Sequence, residues 1–282
     1  MISIVVCSVN AVFLRQLEGN INNTIGCAFE IIAINNNNSR AICEVYNEGV
    51  QKAKFDIICF CHEDISFETG EWGKQVLNVL KNKEIGLAGI AGSIFKSQYP
   101  SPWISIPSGY YRTNLIQVKK DGTSYYTPIL DDGEYSKVCV IDGCFIAGRK
   151  EIFIETQWNE TLLKGFHLYD MDISLRVGLK YSIVVLNKVK IKHFSEGVLD
   201  EVWLKESEKF HTFFKSYLPI KTLVAPSEVK RLDYFALRSY IYRLSSFKQP
   251  FIKRSLWVTK ALLKYPFRKD NLSFLKQLFF PN

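Results

Sequence analysis

Apolar residues along this chain come in short, bounded runs. ISIVVC (2–7) is closed by Ser8 and Asn10, FEIIAIN (29–35) by the asparagines 35–38, and DIICFCH (56–62) by Glu63 and Asp64. Runs of this length, rich in β-branched residues and bounded by polar ones, predict buried strands. Between the second and third, Ala41, Ile42, Val45, Tyr46, Val50 and Ala53 recur at helical spacing, and Ser39 reads as the N-cap. Trp72, Val76, Leu77 and Leu80 predict another helix, followed by a strand over 85–94. Strands alternating with helices predict an α/β fold built on a mainly parallel, doubly wound sheet.

Residues 97–136 break the alternation. They hold four of the nine prolines and the turn signals Asp121-Gly122 and Asp132-Gly133, which predict irregular loops with room for a hairpin. Loops of this length in a compact domain usually serve a ligand. VCVIDGCFIAG (138–148) returns to strand. Met171, Leu175 and Leu179 space a helix from about Asp170, and 184–191 reads as one or two strands. Leu199, Val202, Trp203, Phe210, Phe213, Phe214 and Tyr217 predict an amphipathic helix, and the pattern is helical from Pro226 onward. Gly86, Gly89 and Gly92 do not form a dinucleotide fingerprint and read as points of close packing. Cys59 and Cys61 are read as facing opposite sides of a strand, which excludes one zinc site with both thiols.

The 282 residues suit one large domain, or a domain with an appendage. With 47% hydrophobic and 23% charged residues, the chain can bury a full core and is not a disordered or low-complexity protein. No apolar stretch reaches the roughly 18 residues of a membrane span, and MISIVVCSVN lacks the basic start and cleavage site of a secretory signal. Seven cysteines, an odd number set mostly in apolar runs, predict buried reduced thiols and a cytoplasmic protein. The net charge of +8 is uneven, because residues 221–282 hold 13 Lys and Arg against 3 Asp and Glu. That stretch is also rich in aromatics. It suits an anionic membrane surface, a polyphosphate or RNA, or a plain helical cap with its lysines in water. A nucleic-acid binder would not confine its whole basic excess to one end, so nucleic acid is not expected as a partner.

Ligands of open parallel sheets bind beyond the carboxyl ends of the strands. Those ends here carry Ser8/Asn10, Asn35/Asn36 and His62-Glu63-Asp64. Loops are polar in any case, but two carboxylates and an imidazole after a buried strand concentrate negative charge that a hard divalent cation would relieve. A helix cap or turn is the other role for Asp64. GFHLYDMD (165–172) places Asp170 and Asp172 at a helix start, where the dipole favours them, and Asp172 can pair with Arg176. Beside His167 and Tyr169, Asp170 is also a candidate general base. KHFSEG (192–197) follows the last strand, so three of the four histidines, 62, 167 and 193, lie at element boundaries.

In this order and spacing, ISIVVCSVN, VYNEGVQKAKFDIICFCHEDISF, VIDGCFIAG, GFHLYDMDISLR and IKHFSEG resemble the family 2 glycosyltransferases. The resemblance covers about residues 1–200 and is nearest a bacterial subgroup with His-x-Asp in place of Asp-x-Asp. It implies a GT-A-like domain over 1–222 with a basic, aromatic-rich helical extension over 223–282. It also implies transfer of a single sugar, with inversion, from a nucleotide-diphosphate sugar (UDP-sugar foremost) to a glycan or lipid-linked acceptor in bacterial surface polysaccharide or glycan synthesis. The cofactor implied is Mn2+ or Mg2+, and the place of work the cytoplasm or the inner face of the membrane, a face that the basic aromatic tail suits by its composition.

Carried over by position, Ser8, Asn10, Asn35, Asn36 and Asn47 border the donor nucleotide. His62, where the metal motif has its first Asp, and Glu63 after it contact the donor, and Asp64 is the metal ligand. Asp142 and Gly143 line the donor sugar. Asp170 is the catalytic base. Tyr169 replaces a Glu and, with His167 and Asp172, serves the acceptor or orients the base. His193 approaches the metal. The Gln-x-x-Arg-Trp of processive synthases is missing, so a processive polymerase is not expected. A sugar nucleotidyltransferase would need a glycine-rich loop after the first strand, where SVNAVFLRQLEG has no glycine before Gly19. The departures at His62 and Tyr169 leave a second reading: a non-catalytic GT-A-like nucleotide-sugar-binding or scaffolding module.

Overall fold

The computed structural model describes residues 1–37, 39–126, 133–195, 197 and 199–279. Asn38, Asp132 and Glu196, named above within motifs, lie outside them. In chain order the elements begin β1 (Ile2–Ser8), α1 (Ala11–Thr24), β2 (Phe29–Asn35), α2 (Ile42–Lys52), β3 (Ile57–Cys61), β4 (Ile65–Phe67), α3 (Trp72–Leu80), β5 (Ile85–Gly89), β6 (Ala91–Ser93) and β7 (Phe95–Lys96). There follow β8 (Tyr111–Thr113), β9 (Leu115–Val118), β10 (Ser124–Tyr126), β11 (Tyr135–Val138), β12 (Val140–Ile141), β13 (Phe145–Arg149), α4 (Lys150–Thr156), α5 (Tyr169–Gly178), β14 (Ser182–Leu186) and β15 (Ile191–His193). The last are α6 (Glu201–Phe213), β16 (Ile220–Lys221), α7 (Pro226–Ser246), α8 (Phe251–Lys264) and α9 (Asn271–Phe279).

The chain divides into two compact units, Met1–Ile94 with Tyr111–Gly197, and Phe95–Tyr110 with Val198–Asn282. The first is built on a seven-stranded sheet in the order β11-β14-β5-β13-β3-β1-β2. β2, β1 and β3 run parallel, as do β5 and β14. β13 is antiparallel to both of its neighbours and β11 to β14, so the sheet is mixed but parallel-rich. The apolar runs explain this. β1 and β3 are buried on both faces, whereas edge strand β2 is only half covered. One face packs Ile4, Cys59, Cys61, Phe67, Trp72 and Phe145 into the main core. The other carries an aromatic cluster in which Phe60 meets Tyr46, Phe153 and Trp158.

Three readings are corrected by the chain's geometry. Cys59 and Cys61 share a face, because side chains two apart on a strand point the same way, and both are buried free thiols in the main core. Strand 85–94 is broken into β5 and β6. The turn hands the chain to a three-stranded sheet, β12-β6-β8, where a Cβ on Gly92 would sit 2.3 Å from the Val140 carbonyl. Close packing at the glycines is thus what divides the strand. Ala41, not Ser39, is the N-cap of α2; the Ser39 hydroxyl instead donates to the Asn36 carbonyl at 2.7 Å, closing the preceding turn. The hairpin expected in 97–136 is present as β9–β10, turned at Gly122, and the region also contributes strands β8 and β11.

The second unit joins α6 to the helices α7, α8 and α9. Tyr234, Leu237, Ile241, Val258, Ala261 and Phe274 form its core, with Tyr99 from the 95–110 segment. That segment is held by Asp233, which accepts from Ser97 Oγ at 2.6 Å.

Gly49 of α2 lies over β1, where an added Cβ would stand 2.3 Å from Val5 Cγ1. Gly49→Ala is expected to lower unfolding free energy by about 1–3 kcal/mol, the usual cost of overpacking. Urea unfolding checks it.

Candidate active site

The carboxyl ends of β1, β2 and β3 lie side by side in register, with Ser8 opposite Asn35 and Val6 opposite Cys61. Glu63, just past β3, ties this rim together. Its carboxylate accepts from Ser8 Oγ at 2.6 Å, from Val9 N at 3.1 Å and from Asn10 N at 2.9 Å. The side chain of Asn10 caps α1 through Val12 N. Asn36 donates to and accepts from the Arg40 backbone, while Asn35 stays exposed at the strand end. The polar residues of the predicted nucleoside rim are therefore gathered, and most of them shape the loops.

Asp64 and His193 meet because two strands pair. β4 and β15 are antiparallel, with Ile65 opposite His193, and Phe194 N donates to the Asp64 carbonyl at 2.9 Å. Gln117 fixes the far side of the same loop through the His193 carbonyl at 3.1 Å. His193 Nε2 lies 3.4 Å from Asp64 Oδ1, and His62 Nδ1 lies 3.9 Å from the same oxygen. Asp64 Oδ1 and His193 Nε2 are both buried, and beyond this mutual contact neither has a hydrogen-bond partner. Their remaining lone-pair capacity is what a cation between them would use. Ligand atoms of His62, Asp64 and His193 lie within 4.8 Å of one another, a spacing that suits a cation. Burial alone would raise Asp64, but the two histidines outweigh it and hold its carboxyl below the ordinary value. Burial alone would lower His193, yet Asp64 beside it raises it. Burial, and then His193, push His62 down.

Asp170 stands in the first turn of α5. Leu168 before it takes a left-handed φ of 65°, a strained conformation for leucine. That turn brings Tyr169 and Asp170 toward the β12–β13 loop. Asp170 Oδ2 accepts from Gly143 N at 3.1 Å and Oδ1 from Met171 N at 2.8 Å. Despite these donors, withdrawal from solvent and then the nearby Asp142 push its carboxyl up to about 7. The Asp142 charge also acts on His62 and His193, so one carboxylate links the base candidate to the metal-ligand candidates.

Two further site candidates hold the fold together. The buried Asp172 carboxylate bonds Asn159 Nδ2 at 3.0 Å and Arg176 Nε at 2.7 Å. Asn47 holds the Trp158 backbone through both ends of its amide. Both brace the 157–160 segment against their helices. His167 lies on the loop before α5, its ring against that of Phe166. Sequence reasoning missed the clamp role of Glu63 and the 2.6 Å contact between His62 Nε2 and the Tyr169 hydroxyl. Only the shared irregularity of those last two positions hinted at it.

The model of a glycosyltransferase-like family matches residues 3–217. The chain belongs to that family, a class of transferases. Its fold is similar to that in a crystal structure of GalNAc-T7 with UDP, GalNAc and Mn2+, with a TM-score of 0.55 and 11% identity over 89% of this chain. The chain spans about half the length of that protein, 52%. A197 from STIV is a weaker match, with a TM-score of 0.42 and 11% identity over 69% of this chain and 86% of that one. No curated protein matches.

Glu63→Ala strips the acceptor from one hydroxyl and two backbone amides. It is expected to cost about 2–3 kcal/mol of stability, with Glu63→Gln partly restoring it. Thermal unfolding reads the effect.

Proposed function

We propose that the protein transfers a single sugar, with inversion, from a nucleotide-diphosphate donor to an acceptor hydroxyl. The observation that carries this is the Asp64–His193 pair, buried with no partner beyond each other, together with Asp170 held at Gly143 of the β12–β13 loop. A metal fits these residues, since one hard carboxylate oxygen and one imidazole nitrogen lie buried together with no other partner. Asp64 and His193 would hold Mn2+ or Mg2+, which when bound supplies Lewis-acid neutralisation of the leaving diphosphate.

The chain's own residues do the rest. Glu63 fixes the β1 rim against which the nucleoside lies. Asp142 and Gly143 border the sugar. Asp170 takes the proton from the attacking hydroxyl, and the Gly143 and Met171 amides aim its two oxygens. UDP as the nucleotide follows from the family resemblance and from the UDP in the GalNAc-T7 structure.

A glycan or lipid-linked acceptor at the inner membrane face is part of the same reading. No helix among the described residues is long and apolar enough to cross a membrane. α8 exposes Ile252 (82%) and Leu263 (79%), and Phe267 (97%) and Leu272 (77%) extend the apolar surface. Lys260, Lys264, Lys269 and Lys276 border these residues in sequence. Apolar side chains among lysines suit an anionic lipid surface, and the lysines oppose pairing with a second copy.

Asp170→Asn is expected to reduce turnover by about 10²–10⁴ while UDP affinity changes little. Because Asp170 must be deprotonated to accept a proton, kcat/KM should rise with pH through about 7. Asp142→Asn, by removing the repelling charge, should move that limb to lower pH. Initial-rate pH profiles of the three proteins check this. Ile252→Ser with Leu263→Ser should abolish co-sedimentation with vesicles containing phosphatidylserine and leave UDP binding unchanged.

A further inference from the structure

His62 occupies the place where the resemblance leads one to expect a carboxylate, and Tyr169 the place of a Glu. These two departures touch each other. The Tyr169 hydroxyl lies 2.6 Å from His62 Nε2, which is its one hydrogen-bond partner among the described residues. Its position is built in, because a Cβ on Gly143 would come within 2.2 Å of that hydroxyl. The ring is held as well: Tyr46 packs edge-on against it, with centroids 5.8 Å apart, and the residue is 3% exposed.

The location of the His62 proton follows from counting donors and acceptors. A buried hydroxyl with a single partner donates to it, since the alternative strands an O–H in the interior. If Tyr169 donates to Nε2, the ring's proton must be on Nδ1. If the imidazole is charged, Nδ1 carries a proton as well. Only a neutral ring protonated at Nε2 leaves a lone pair on Nδ1, and that state leaves the tyrosine proton without a partner. Nδ1 is the nitrogen facing Asp64, 3.9 Å from its Oδ1.

We infer that Tyr169 fixes His62 with an N–H at Nδ1, so that His62 is a hydrogen-bond donor to an anionic oxygen of the bound nucleoside diphosphate and not a ligand of the metal. The metal then has Asp64 and His193 as its side-chain ligands. The pair of departures replaces two acidic side chains with a donor relay. It lowers the negative charge around the leaving diphosphate while keeping a polar contact there. This rests on the nucleotide-sugar reading above, and its test separates the two.

The test uses the full chain labelled with 15N-histidine and free of metal. Two-bond 1H–15N spectra, with the signal assigned by its loss in His62→Gln, are expected to show a pyrrole-type Nδ1 at His62. Tyr169→Phe should move it toward the other tautomer. By calorimetry with Mn2+ alone, His62→Ala should bind within about twofold of the parent, while Asp64→Ala loses binding. UDP affinity in the presence of Mn2+ should fall roughly tenfold in His62→Ala, the loss of a bond to a charged acceptor, and recover in part in His62→Gln, which keeps an N–H donor. A pyridine-type Nδ1 in the metal-free protein, or a tenfold loss of Mn2+ affinity in His62→Ala, would overturn the inference. Undiminished Mn2+ binding by Asp64→Ala would instead sink the metal reading, and the spectrum would still decide the proton's place.

Discussion

The site depends on a backbone pairing more than on any side chain. β15 lies antiparallel to β4, and that ladder sets His193 opposite Ile65, next to Asp64. Two groups separated by well over a hundred residues are thereby pressed to 3.4 Å, buried and with no hydrogen-bond partner beyond each other. A carboxylate oxygen and an imidazole nitrogen so placed are a donor set for a divalent cation. In the same unit, burial and then Asp142 push the Asp170 carboxyl up to about 7.

Much of this was legible in the sequence because the fold is written in short apolar runs. β1, β2, β3 and the helices α2, α3 and α5 follow from runs and spacing, and the polar strand ends mark the candidate site. Three things were not legible. The break between β5 and β6 depends on how tightly Gly92 is approached by Val140, which periodicity does not encode. The use of Glu63 as a clamp depends on which way its side chain turns after the strand. Asp172 and Asn47 look like site residues by position, yet their side chains are consumed in bracing 157–160. Residue type at a strand or helix end shows that a group is near the cleft. It does not show whether its hydrogen-bonding capacity is left over for a ligand.

The family membership and the fold agree with the resemblance, and the points where the chain departs from it are the instructive ones. His62 and Tyr169, each an irregularity alone, form one hydrogen-bonded unit. In the second unit, α7 to α9 bury an aromatic core, while the large apolar side chains left outside, such as Ile252 and Phe267, fall among lysines. The basic excess and the exposed apolar surface thus belong to the same helices.

The central claim is that Asp64 and His193 hold a divalent cation where a nucleoside diphosphate binds. Crystals of the protein grown with UDP and Mn2+, measured at the manganese absorption edge, test it most directly. The account predicts an anomalous peak within coordination distance of Asp64 Oδ1 and His193 Nε2, with the diphosphate beside it and Asp170 across the sugar position. A nucleotide bound away from these residues, or a diphosphate in the cleft with no manganese at Asp64, would contradict it.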